Sequence, residues 1–124
     1  MNNTLRHGIE KDFNTSIACG LGLTVNLWTF QVPQKSVMIL TYFSNYLNLA
    51  GHWGDVTWVI YRNGVPVNNY EAITDQLGLQ SRPRKIERLV FYGGDQIRID
   101  ATDAGVIAQP PVLAVGIAGR YETI

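Results

Sequence analysis

Residues 55–64, DVTWVIYRNG, constrain the fold more than any other part of the chain. Val, Thr, Trp, Ile and Tyr crowd into seven positions, as β-branched and aromatic residues do in strands. The run ends on Asn63-Gly64, the pair that best tolerates positive φ at both central positions of a type I′ turn, so a β-hairpin is predicted between Tyr61-Arg62 and Val65. Side chains alternate across a strand, which sends Val56, Trp58 and Ile60 to one face and Thr57, Val59 and Tyr61 to the other. Both sets are mostly apolar, and such a strand needs cover on two sides.

The same texture continues from Thr24 onward, with short apolar runs separated by Gly, Pro, Asn and Asp. Strands are predicted at 24–32, 36–46, 55–62, 85–91, 96–101 and 112–121, with short additions at 65–67 and 105–108. Val32-Pro33-Gln34-Lys35 reads as a turn, and Tyr92-Gly93-Gly94-Asp95 reverses the chain between 86–91 and 96–99. Gln109-Pro110-Pro111 opens the last strand with residues unsuited to a central ladder. Residues 69–79 suit a long loop crossing from one sheet to the other, with a single helical turn at 71–76 as the alternative. Residues 1–20 read as an extended N-terminal arm, in which a helix over 8–13 would be marginal alone. Residues 21–124 read as one all-β domain, an antiparallel β-sandwich of jelly-roll type.

Strands 36–46 and 112–121 are apolar on both faces like 55–62, whereas 96–101 alternates cleanly, with Ile97, Ile99 and Ala101 inward and Gln96, Arg98 and Asp100 outward. The second cover is either the arm or a neighbouring copy of the chain. A 124-residue domain has little spare material for the first, so a homo-oligomer is expected with Val56, Trp58, Ile60, Val59 and Tyr61 at its interface. Composition points the same way: charged residues make up 16% and the net charge is zero, which favours self-association. The same balance leaves no global field to attract nucleic acid.

Groups able to converge on a reaction are scarce. His7 and His52 have no metal-binding spacing, Cys19 is the only cysteine, and Ser16, Ser36, Ser44 and Ser81 lack a nucleophile-elbow context. Gly20-Leu21-Gly22 is not followed by a phosphate-loop pattern. Asp95 and Asp100 flank one strand with opposite parity, so they leave on different faces; turn chemistry accounts for Asp95 and Asp103. Neither an enzyme nor a cofactor is expected. The opening MNNTLRHGIEK lacks an apolar signal-peptide core, and SIACGLGLTVNLW is too short for a membrane span, so cytoplasmic synthesis and no membrane partner are expected. The cluster Ser81–Arg88 carries four positive charges against one acid. It reads first as a solvated loop and strand entry, and second as a contact with an acidic neighbour through Arg82, Arg84 and Lys85. Trp53 and Tyr70 are candidates for stacking on a sugar.

Phe30-Gln31-Val32-Pro33 leads into the 37–43 strand. It is followed by Trp58-Val59-Ile60-Tyr61-Arg62-Asn63-Gly64-Val65-Pro66, then Phe91-Tyr92-Gly93-Gly94-Asp95-Gln96-Ile97-Arg98-Ile99, and an apolar strand closing on Arg120-Tyr121. In this run of strands and turns, residues 24–121 resemble the small jelly-roll structural proteins of tailed bacteriophages, in particular capsid decoration (cement) proteins. The resemblance implies a non-enzymatic virion protein, often a homotrimer, that sits on the capsid surface and bridges major capsid protein subunits. It also implies attachment through a terminal arm, which here would bring Arg6 and His7 to the capsid alongside Arg82, Arg84 and Lys85. The alternative is a carbohydrate- or receptor-binding module of a phage tail or baseplate that uses Trp53 and Tyr70.

Overall fold

The Asn63-Gly64 turn is present, with φ of 51° and 82° at its two residues, and the remaining strands nest around it. The computed structural model describes residues 10–18, 23–78, 82, 84–104 and 112–123. Its strands are β1 (Glu10–Ala18), β2 (Thr24–Gln31), β3 (Ser36–Leu47), β4 (Val56–Arg62), β5 (Val65–Pro66), β6 (Arg84–Tyr92), β7 (Gln96–Asp103) and β8 (Val112–Thr123), with a 3₁₀ turn over Ala50–Asp55. β4 pairs with β5 across the turn, β3 with β6, β2 with β7 and β1 with β8, all antiparallel. Two further pairings, β3 with β8 and β4 with β7, gather the strands into two sheets. Sheet A has the order β1-β8-β3-β6 and sheet B the order β2-β7-β4-β5. One long hairpin rolled into two facing four-stranded sheets is a jelly roll, the fold class expected from the strand and turn pattern.

Alternation decides what each strand buries. Val56, Trp58 and Ile60 of β4 meet Ile97, Ile99 and Ala101 of β7 on the inner face of sheet B, and all six are 0% exposed. Leu40, Phe43, Phe91 and Leu113 oppose them from sheet A, equally enclosed. In β2 a bulge inserts Leu27 between Asn26, opposite Asp100, and Trp28, opposite Ile99. Two consecutive large side chains, Leu27 and Trp28, are buried there because the extra residue breaks the two-residue alternation.

The burial of Val56, Trp58 and Ile60 within one protomer overturns their assignment to a subunit interface. Their cover is the opposite sheet, and the chain holds more covering material than the strand count implied. Residues 67–73 run along the outer edge of β4: Trp58 and Ile73 exchange two backbone hydrogen bonds of 2.8 Å, and the Ile60 N–H donates to Tyr70 O at 3.0 Å. That segment brings Tyr70 and Ile73, both buried, into the core. Val59 and Tyr61 lie on the outer face of sheet B and are only half-buried. There the Arg98 guanidinium rests 4.2 Å from the centre of the Tyr61 ring, a cation–π contact that covers the ring without a second subunit.

One other expectation changes. Half of the anticipated arm, Glu10–Ala18, is a strand paired with β8, so residues 10–13 are not helical; pairing satisfies backbone groups that a short isolated helix would leave exposed to water. The expected reversal at 92–95 is present, with the Asp95 N–H donating to Tyr92 O at 2.9 Å, and it carries the chain from β6 in sheet A to β7 in sheet B. No helical turn occurs at 71–76, and the segment crosses as a loop from sheet B to sheet A. Arg6, His7, Cys19, the Gly20 and Gly22 pair, the short strand at 105–108 and the Gln109-Pro110-Pro111 start lie outside the described residues.

Asn45 fastens the crossing segment. Although 2% exposed, its side chain donates to Asp75 O at 3.1 Å and accepts the Leu77 N–H at 2.8 Å. Its backbone N–H donates to Gly78 O and its carbonyl accepts from Gln76 Nε2. At the far side of the segment the Glu87 N–H donates to Tyr70 Oη at 3.1 Å, tying β6 to the margin of sheet B.

Candidate functional site

Among the described residues, Trp58, Phe43, Phe91 and aliphatic side chains pack between the sheets. Chemistry available to a partner therefore lies on the outer faces and rims. Arg82, Arg84 and Lys85 are exposed, and Arg84 and Lys85 open β6, which is an edge strand of sheet A. Charges on an edge strand discourage unwanted pairing with other chains, which accounts physically for why the basic run sits there. Trp53 is half-buried and stacked on Trp58, with ring centres 5.9 Å apart and planes 26° from parallel. Tyr70 is 9% exposed and its hydroxyl accepts the Glu87 N–H. The expectation that Tyr70 offers a ring to a sugar is thus corrected: its face is committed to the core.

The remaining titratable candidates do not assemble. His52 Nδ1 lies 2.9 Å from Asp55 Oδ2 within the 3₁₀ turn. Asp100 faces outward, accepting from Asn26 Nδ2 at 2.9 Å and Arg98 Nε at 3.1 Å. Asp103 occupies an inner register position opposite Val56 and is 1% exposed. Asp95 belongs to the turn between β6 and β7, where the Tyr92 N–H donates to its Oδ2 at 2.9 Å and Asn63 Nδ2 to its Oδ1 at 3.1 Å. The Tyr92 hydrogen bond is the main cause holding the Asp95 carboxyl below the usual carboxylate range; burial opposes it, and Asn63 and the Arg62 charge add to it. Among the described residues no group of three His, Cys, Asp or Glu side chains is placed to hold a metal ion.

Two surface grooves are lined by described residues. The first, about 420 Å³, lies between the crossing segment and β6; there Arg84 and Lys85 are balanced by Asp75 and Glu87. The second, about 470 Å³, lies on the outer face of sheet A and is bordered by Lys85, Arg88 and Arg120, with no acid among its lining residues. Its floor is Ile39, Tyr42 and Ile86; Ile39 is 4% exposed yet stands apart from the inter-sheet core. The three cations come from β6 and β8, the strands on either side of β3. A register shift between Leu40 and Tyr42 interrupts both ladders of β3 at this point. On the other flank β8 presses close, since a Cβ on Gly119 would lie 2.0 Å from Ile39 O.

Arg88 belonged to the basic run noted in the sequence, but Arg120 had no local signal. Only the register that places Arg120 opposite Ile39 on one side and Val90 opposite Ile39 on the other brings Arg88 and Arg120, 32 residues apart in sequence, to one groove. No protein-family model matches the chain, and no curated protein matches it. Among the described residues no helix is long and apolar enough to cross a membrane.

Proposed function

We propose that this jelly roll is a non-enzymatic structural protein of a bacteriophage particle, a decoration protein that binds the capsid surface and bridges neighbouring subunits of the major capsid protein. The observation that carries the reading is the filled interior. A jelly roll packed with Trp58, Phe43, Phe91, Leu40 and Leu113 offers partners its outer surface, and surface docking is what a lattice-bound module needs. Sheet A presents the means: Tyr46 and Tyr92 are 51% and 59% exposed at outward register positions opposite Ala114 and Val37. Tyrosines exposed in this way are good anchors at protein interfaces. Individually weak contacts, repeated over a lattice of identical subunits, add up through avidity.

A homotrimer remains part of this proposal through the low charge content, 16% with zero net charge, and through those exposed tyrosines. The inner face of β4 lends it no support, since that face is enclosed by its own chain. The glycan-binding alternative has lost Tyr70 to the core, and no further observation favours it.

The test is the particle itself. Virions purified on a density gradient are expected to contain the chain in a fixed stoichiometric ratio to the major capsid protein, and its absence from them would overturn the proposal. Light scattering after size exclusion checks the oligomer separately; a monomer at every accessible concentration would remove the trimer from it.

A further inference from the structure

We infer that the outer groove of sheet A is the docking site for an acidic segment of the neighbouring shell protein. The inference rests on the decoration reading and adds to it the place and chemistry of contact. Lys85, Arg88 and Arg120 stand around one depression, and all three are exposed. Among the described residues, Lys85 and Arg88 make no ion pair, and Arg120 Nε pairs with Glu122 Oε2 at 3.3 Å. That pair is open to water, with side chains 48% and 39% exposed, and an exposed ion pair of this kind is weak enough to be exchanged for a better partner. Glu87, the acid next to Arg88 in sequence, accepts from Asn69 Nδ2 at 3.2 Å and lines the other groove.

Like charges held together on a chain of zero net charge form a local surplus. It gives short-range complementarity to carboxylates, which governs register and partner choice more than long-range attraction does. The floor adds an apolar requirement. Ile39, Tyr42 and Ile86, with Thr41 beside them, leave a largely apolar base between the cations, suited to an apolar side chain flanked by Asp or Glu. A volume of about 470 Å³ falls within the range in which pockets enclose small groups, and so admits a few side chains of a peptide. Guanidinium groups at two of the three positions favour carboxylates through paired N–H donors.

The experiment measures the anisotropy of a fluorescein-labelled oligoglutamate peptide titrated with the intact protein at about 50 mM salt, where screening is modest. Wild type is expected to bind, and Arg88→Glu and Arg120→Gln to weaken binding by about tenfold or more, as loss of a close charge partner does. Lys35→Glu makes the same change in net charge as Arg88→Glu but lies in the β2–β3 turn, and should bind as wild type. Equal weakening by Lys35→Glu would overturn the site, and so would absence of wild-type binding. Unchanged urea midpoints in the variants, whose substituted side chains are exposed, keep the comparison free of folding effects. Particle incorporation gives the second arm. Arg88→Glu is expected to be depleted from virions that retain wild type; its retention at the wild-type ratio would overturn the groove while leaving the decoration reading intact. Absence of wild type itself from virions would overturn the decoration reading and the choice of partner, whatever the peptide titration reports on the groove.

Discussion

Asn63 Nδ2 donates to Asp95 Oδ1 at 3.1 Å, joining the hairpin turn after β4 to the crossover before β7. Reciprocal contacts reinforce it: the Gln96 N–H donates to Asn63 Oδ1 at 2.8 Å, and the Asn63 N–H to Gln96 O at 2.9 Å. The β2–β3 crossover joins the same end, where the Val32 N–H donates to Asp95 O at 2.9 Å and the Gly94 N–H to Val32 O at 2.8 Å. Two of the crossovers that pass between the sheets, β2–β3 and β6–β7, are thus fastened to the turn at the centre of the roll.

Asp95→Ala should lower stability by about 0.5–1.5 kcal/mol, because it removes the acceptor of the Tyr92 N–H and the Asn63 amide at a turn where water can take its place. The carboxyl is held below its ordinary value of 3.8, first by the Tyr92 N–H. A depressed folded-state pKa means the contribution is fully present above that ordinary value and is lost as pH falls through the lower, folded one. Urea midpoints measured from neutral pH down into the acid range should fall less steeply for Asp95→Ala than for wild type; parallel curves would contradict this.

Gly64→Ala tests the turn alone. At φ of 82° with nothing within 4 Å of the added Cβ, the cost is conformational, and a left-handed conformation costs a residue with a Cβ about 1–2 kcal/mol. Thermal unfolding should register that loss with the strand content by circular dichroism unchanged.

Ile60→Ala separates core from interface. Ile60 is 0% exposed in a single protomer, so the substitution should cost about 2–5 kcal/mol, the usual range for a buried aliphatic truncation. If Ile60 is sheltered by its own chain, the loss is independent of protein concentration over a hundredfold dilution. A midpoint that shifts more with dilution in the variant would return Ile60 to an interface.

Asn45→Leu removes the bonds to Asp75 O and the Leu77 N–H. Each buried group left unsatisfied costs about 1–3 kcal/mol, and the loss falls on the crossing segment. Limited proteolysis should then cut within residues 70–78 faster than in wild type, with the core strands protected.

What the sequence by itself determined is local. Alternation along 96–101 assigned Ile97, Ile99 and Ala101 inward because successive Cβ atoms point to opposite sides, and Asn63-Gly64 specified a turn because few other pairs accept two positive φ angles. The tertiary structure alone decided what covers each face. Apolar residues on both sides of β4 announce a need for cover, but the same pattern is compatible with a second subunit or with the chain's own opposite sheet. Distant pairings answered it: the return of residues 67–73 along β4 supplied backbone and the buried Tyr70 and Ile73 from what the sequence suggested was a loop, and the pairing of β1 with β8 made a strand of part of the expected arm. The meeting of Lys85, Arg88 and Arg120 around Ile39 was equally invisible, since it depends on the register of β3 with β6 and β8. That register follows from packing between parts of the chain far apart in sequence, which no local preference encodes.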